Sequence, residues 1–325
     1  MYKKALLALA LLLCHYTSFC WGFYAHKQIN YYAVFLLPPE MLVLYKPNIN
    51  FLAAHAVDPD KRRYALAAEG ARHYIDIDSY GSNAWAVLPQ KWDSALAKFS
   101  ADTLNAHGIV PWWIQTMLGR LTAAFKEKNQ SKILKLSAEI GHYLADAHVP
   151  LHASSNHNGQ LTNQAGIHGF WESRLPELLA EKEWDFFIGK AAYISHPAAF
   201  TWKRVYESAA AADTVLRLEK ELSAAFRPDQ RFAFETRNGL LVKQYSAAYA
   251  RAYNRLLQGM VERRMRQSIY AVASFWYTAW VNAGQPDLKN LNGKIFSEAD
   301  IKEFEDLDLQ WKKAQSAAPG QADRE

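Results

Sequence analysis

The sequence predicts an all-α fold, a single multi-helix bundle. Apolar residues recur at helical spacing in several windows, and alternating β-patterns are scarce. Half of the 325 residues are hydrophobic, enough for a sizeable core. Trp113, Met117, Leu121 and Phe125 fall on every fourth position behind Pro111, which suits a first helical turn. Ile133, Leu136, Ile140 and Leu144 follow at i, i+3, i+7 and i+11. Residues 203–226 are dense in Ala, Leu, Glu and Lys, strong helix formers. Leu241, Tyr245, Ala248, Ala252, Leu256 and Met260 draw one more apolar stripe, extending toward a stop at Gly284 and Pro286. The HYIDID segment at 73–78 alternates and is read as a short strand or a loop. Ser297 and Asp300 resemble a capping box that opens a short helix, and the terminal SAAPGQADRE is expected to be disordered. Most Trp and Tyr residues are assigned to the bundle core.

Residues 1–20 read as a signal peptide. Lys3 and Lys4 precede an apolar run from Ala5 to Leu13, and Ser18 and Cys20 suit cleavage before Trp21. Processing there removes both cysteines, hence any disulfide or thiolate ligand, and lowers the net charge from +5 to +3. The expected location is therefore outside the cytoplasm, secreted or periplasmic. No later stretch reaches the roughly 18 apolar residues of a membrane span. The expected organisation is a signal peptide over 1–20, one domain over 21–285, and a peripheral short helix with a flexible tail over 286–325. The composition excludes disordered, collagen-like, coiled-coil and disulfide-scaffold classes. The mild charge does not mark a dedicated nucleic-acid binder.

The chemistry concentrates between His142 and Glu172. His142 and Asp146 lie four apart beside an apolar stripe, so both side chains reach one patch of a helix. Pro150 ends that helix and His152 follows, able to fold back. His168 and Glu172 repeat the i, i+4 pairing. Imidazole and carboxylate in this pattern suit zinc. Upstream, Asp58 and Asp60 sit in AVDPDKRR, and His73, Asp76 and Asp78 in RHYIDID. The expected mature terminus, WGFYAH, offers a free amine, a carbonyl and His26 about one helical turn on. His148 is read as a contact behind the ligands, and His157 as an exposed loop residue. His55, His107 and His196 are read as structural or solvated. The run Lys61, Arg62, Arg63 is either a solvated face or supplies one cation to a phosphate.

These residues resemble the zinc-dependent phospholipase C and S1/P1 nuclease superfamily. The W-x4-H start, the D-x14-H spacing from Asp58 to His73, and the H-x3-D-x5-H run from His142 to His152 carry the likeness. The resemblance implies an α-helical fold with three zinc ions in a cleft. It places Trp21, His26 and Asp146 on one zinc. Asp58, His73, His142 and a bridging Asp146 would hold a second; His152, His168 and Glu172 would hold the third. Asp58 is preferred over Asp60 because of its spacing to His73. The implied activity is hydrolysis of a phosphodiester, with Asp58 also orienting or deprotonating the water. The D-x-H-x-P-L-H run matches the nuclease branch. Glu172 matches the phospholipase branch, and the loop before it lacks the nuclease-typical Gly-Gly-Asn. The substrate, phospholipid or single-stranded nucleic acid, is therefore left open, and no obligate protein partner is implied. The rival reading is a non-catalytic zinc-binding helical module, whose sites would be closed by four protein ligands each.

Overall fold

The computed structural model describes residues 22–237, 240–289, 291 and 295–317. The expected signal peptide, Trp21 and residues 318–325 of the expected tail lie outside the described residues. The chain opens with α1 (Phe23–Val34), α2 (Pro39–Tyr45), α3 (Ile49–Ala54) and α4 (Asp58–Arg62). Short helices α5 (Ala84–Val87), α6 (Trp92–Lys98) and α7 (Ala101–Ala106) lead to the long pair α8 (Val110–Lys126) and α9 (Gln130–Asp146). Then come α10 (Ile167–Gly169), α11 (Leu175–Glu183), α12 (Pro197–Ala225), α13 (Ala247–Leu256), α14 (Met260–Asn282) and α15 (Glu298–Ala317). The fold is mostly helical, as the periodicity predicts.

Helix α9 is the axis of the core. Asn129 caps it, accepting the Lys132 N–H at 3.0 Å. Ile133, Ile140 and Leu144 are buried as the stripe requires, and so is the whole last turn, His142 and Asp146 included. α9 packs against α8, α1 and α14. Polar pins fix its rotation. Trp276 of α14 donates to Ser137 O at 2.9 Å, and Tyr45 of α2 meets Ser137 Oγ at 2.8 Å. Asn30 of α1 donates to Leu52 O and Ala138 O, both at 3.0 Å. Each such bond contributes about 1 kcal/mol net, and more is lost if its partner is left buried and unpaired. Gly141 makes the α1–α9 crossing possible, because a Cβ there would lie 2.0 Å from Asn30 Oδ1. That close crossing lays the His26 ring on the His142 ring, with centroids 3.9 Å apart.

Two sequence expectations change and one is decided between its alternatives. The stripe from Leu241 onward is not one helix. Residues Phe232–Arg237 and Leu240–Tyr245 form an antiparallel hairpin of β1 and β2, with Phe232 opposite Tyr245 and Thr236 opposite Leu241. The local signal is Asn238-Gly239 between two alternating runs, a strong hairpin sequence. The helical part then breaks again between α13 and α14, where Gly259 adopts φ +72°. Of the two readings of HYIDID, strand or loop, the structure shows the loop. Its amides bond irregularly, Ile75 to His152 O at 2.9 Å and Asp76 to His107 O at 2.8 Å. The C-terminal helix is 20 residues, not short. Its capping box forms, with the Asp300 N–H on Ser297 Oγ at 3.1 Å and the Ser297 N–H on Asp300 Oδ2 at 2.9 Å.

Helix α15 lies along the outer side of α4. Lys61 bonds Asp308 at 2.6 Å, Lys135 bonds Glu303 at 2.6 Å, and Trp311 packs on Phe23 at 5.3 Å. Among the described residues, no helix is long and apolar enough to cross a membrane.

Candidate metal centre

Seven segments deliver side chains to one buried region. α1 brings His26 on its first turn. α4 brings Asp60. A 3-10 turn, Ala67–Arg72, ends at His73. The last turn of α9 brings His142 and Asp146. Pro150 opens a second 3-10 turn, Pro150–Ala153, which folds His152 back as expected. His168 stands on α10, and Glu172 on the π-helical turn Phe170–Arg174.

The Asp146 carboxylate is the hub. Its Oδ2 lies 3.0 Å from His73 Nδ1 and 3.3 Å from His142 Nε2. Its Oδ1 lies 3.4 Å from His26 Nε2 and 4.0 Å from His152 Nε2. Three groups of potential ligand atoms, each within 4.8 Å of one another, surround it: His26, His142 and Asp146; Asp60, His73 and His142; His152, His168 and Glu172. Ligand atoms of a tetrahedral zinc with bonds of about 2 Å stand about 3.3 Å apart. The two outer histidines fit that scale, with Glu172 Oε2 at 3.4 Å from His152 Nε2 and 3.1 Å from His168 Nε2.

Backbone carbonyls fix two of the rings. His142 Nδ1 donates to Ala56 O at 2.8 Å, and His152 Nδ1 donates to His73 O at 2.7 Å. A carbonyl only accepts, so each ring keeps its proton on Nδ1 and turns Nε2 to the centre. Many inward atoms are buried without a hydrogen-bond partner: both nitrogens of His26, both oxygens of Asp60 and Glu172, Asp146 Oδ1, His152 Nε2 and His168 Nε2. Buried polar atoms are normally paired, and each orphan costs about 1–3 kcal/mol. Orphaned lone pairs converging from histidine and carboxylate are what a bound cation satisfies. The residues therefore fit zinc.

The electrostatics agree. Burial lowers His26, and lowers His73 well below the usual histidine range, so both rings are neutral. Burial also opposes charge on His142, but Asp146 and Asp60 outweigh it and raise the group to about 9. His152 is likewise raised to about 9 against burial, by Asp146 and Glu172. Burial works against ionisation of Asp146 and Glu172, yet the facing histidines hold both carboxylates below their ordinary range.

Of the sequence candidates, His26, His73, His142, Asp146, His152, His168 and Glu172 come together. Trp21 lies outside the described residues. Asp58 does not join them. Its carboxylate binds His55 Nδ1 at 2.6 Å and Lys61 Nζ at 3.0 Å, and those partners hold it low against burial. Asp60 takes the inward place, 3.6 Å from His142 Nε2 and 3.7 Å from His73 Nδ1. The reason is helical: residues two apart on α4 point about 200° apart, so only one of the pair can face the centre. The D-x14-H spacing picked the wrong face, and the role given to Asp58 in orienting water goes with it. His55 is thereby a partner of Asp58, not an isolated ring.

His148 stays out of the groups. Its Nδ1 donates to Leu144 O at 2.7 Å, and burial, with Arg264 nearby, lowers it to about 3. His157 is half-buried rather than exposed, its ring 6.2 Å from His168. Lys61 is bound by Asp58 and Asp308, and Arg62 by Glu139. Arg63 is the member of that run whose charge reaches both His73 and His157. Glu69, wholly buried beside His73, was not singled out from sequence. Its spacing of four to His73 repeats the His–carboxylate interval of the other pairs and was the available signal.

Fold and centre together define a helical protein with a buried, multi-histidine, multi-carboxylate metal site. The family model for zinc dependent phospholipase C matches residues 25–231, and the chain belongs to that family. No curated protein and no solved structure matches the chain.

Proposed function

We propose that this chain is an exported zinc-dependent phosphodiesterase with three zinc ions in the centre described above. The observation that carries the proposal is the convergence of orphaned ligand atoms, in three groups, on the single carboxylate of Asp146. His26 and Asp146, with the terminal amine of Trp21 after processing, are the set for one ion. Asp60, His73, His142 and Asp146 are the set for a second, and His152, His168 and Glu172 for a third. The first and third sets supply three protein ligands each and leave positions for water and substrate, which separates a catalytic from a closed structural site. Zinc bound there supplies Lewis acidity toward phosphoryl oxygens and an acidified water.

The chain's own residues do the rest. Ala56 O and His73 O lock two rings with Nε2 inward. Asp146, Asp60 and Glu172 bring the negative charge that holds cations close together. Buried walls keep bulk water from screening that charge. Arg63 adds positive charge beside the centre, where it acts on His73 and His157. Family membership and Glu172 favour a phospholipid ester; the D-x-H-x-P-L-H run favours single-stranded nucleic acid.

The test uses exported protein processed to begin at Trp21. Zinc content and turnover on phosphatidylcholine and on single-stranded DNA are measured side by side. About three zincs per chain and chelator-sensitive cleavage of one ester support the proposal. Full zinc with no cleavage of either ester favours the binding module. Recovery of unprocessed chain inside the cell sinks the export reading.

A further inference from the structure

Behind His73, away from Asp146, lies a carboxylate that the zinc scheme leaves unused. Glu69 is fully buried in the 3-10 turn that leads to His73. Its Oε1 accepts the Tyr143 hydroxyl, and its Oε2 accepts Arg72 Nη1 at 2.7 Å. Arg62 Nη1 stands 3.9 Å away. The same Oε1 lies 3.8 Å from His73 Nε2, a buried nitrogen with no hydrogen-bond partner. The other ring nitrogen, Nδ1, faces Asp146, His142 and Asp60 at 3.0, 3.0 and 3.7 Å. Geometry thus divides the ring: Nδ1 toward the ligands, Nε2 toward Glu69.

Resting on the metal-centre reading above, we propose that Glu69 is a positioning residue that takes the Nε2–H of His73 when Nδ1 gives its lone pair to the metal. A neutral imidazole that ligates through Nδ1 must carry its proton on Nε2. A carboxylate waiting there fixes that tautomer, sets the ring angle and raises the basicity of the ligating nitrogen. Closing the gap to a charge-assisted bond of about 2.8 Å needs a shift of roughly 1 Å. His142 and His152 have backbone carbonyls in this role, whereas among the described residues the group facing His73 Nε2 is Glu69.

The surroundings suit a charged acceptor. A lone buried carboxylate is costly. Glu69 is offset by Arg72, which lies over the Trp113 ring at 3.9 Å, and by Arg62, which also binds Glu139. Tyr143 comes from α9, next to His142, so the helix that supplies one ligand also steadies the carboxylate behind another.

A merely structural Glu69 and a positioning Glu69 differ in what they disturb. The processed full chain, loaded with zinc, is titrated against a competing chelator, and the weakened site is probed by cobalt(II) absorption. In Glu69→Gln, which keeps the size and loses the charge, one zinc binds about 10–100-fold more weakly. The others keep parental affinity and the helical circular dichroism is unchanged. Glu69→Asp keeps a charge for Arg72 but withdraws it from Nε2, and weakens the same zinc by less. Parental affinity at every zinc in both variants overturns the proposal, and so does equal weakening of all of them. If Glu69→Gln does not fold, Glu69→Asp decides alone by the same two criteria. A parent protein that holds no more than one zinc overturns the metal-centre reading itself, so the two failures are distinct.

Discussion

The two halves of the metal centre are built from different material. His26, His142 and Asp146 stand on α1 and α9, regular helices locked together by Asn30 and Gly141. His152, His168 and Glu172 stand on short turns: a 3-10 turn, a single turn opened by Gly166 at φ +94°, and a π-helical turn. The helical side chains are sealed, whereas the His168 side chain is 15% exposed. Regular helix fixes ligands through many packed neighbours. Turns fix them through a few named bonds and leave one edge open. The helical half should therefore be rigid and deeply destructive to alter, the turn half selective and adjustable.

Asp146→Asn tests that contrast hardest. It removes the one carboxylate that two of the three ligand sets share. Zinc content should fall by more than one ion per chain, and turnover should drop more than the 10–100-fold typical of an outer partner. Near-parental turnover would break the whole scheme. His168→Ala should do less: one zinc lost, the helical pair retained, activity strongly reduced. Metal analysis of the purified variant decides it, and loss of every zinc would mean the halves are not separable.

Arg174→Ala probes what props the turn half. Arg174 is two residues past Glu172, donates to Tyr245 O at 3.0 Å and grips Glu235 of the hairpin. Losing these bonds should cost about 1–3 kcal/mol, read as a lower denaturation midpoint, with weaker zinc retention at Glu172. A midpoint shift with no change in zinc would leave the hairpin a stabiliser only.

A pH-dependent effect is expected from Asp76, at the wall near His152. Burial, then Asp78, raises its carboxyl from 3.8 to about 7. A group raised on folding stabilises the fold while protonated in both states and loses that contribution as pH climbs through its folded value. Zinc-free protein should thus lose stability between about pH 4 and pH 7 through this residue. Asp76→Asn should flatten that interval in a denaturation series; an unchanged slope would remove Asp76 from the account.

The helical half was also the legible half. Period-four patterns exposed α8 and α9, and the interval from His142 to Asp146 follows directly from helix geometry. His168 and Glu172 obey the same interval although their backbone passes into a π turn. What escaped depends on facts that spacing does not encode. Asp58 and Asp60 are chemically equal in the sequence, and only the direction of α4 separates them. Glu69 acts through a ring rather than at the centre, so no ligand pattern includes it. The hairpin was hidden because Leu241 and Tyr245 also satisfy a helical period, and helical neighbours made that period the easier reading.

The contact of Trp311 with Phe23 has a consequence for assembly in time. Lys61 and Asp308, joined across 247 positions, belong to the same closure. A chain made from its amino end has α1 and α4 complete long before α15 exists. Non-local closure of this kind slows folding, because the loop must be ordered before its contacts repay it. Helix α1 is therefore among the last of the described elements to gain all its neighbours, and the segment beside the metal ligands waits for α15 to be made.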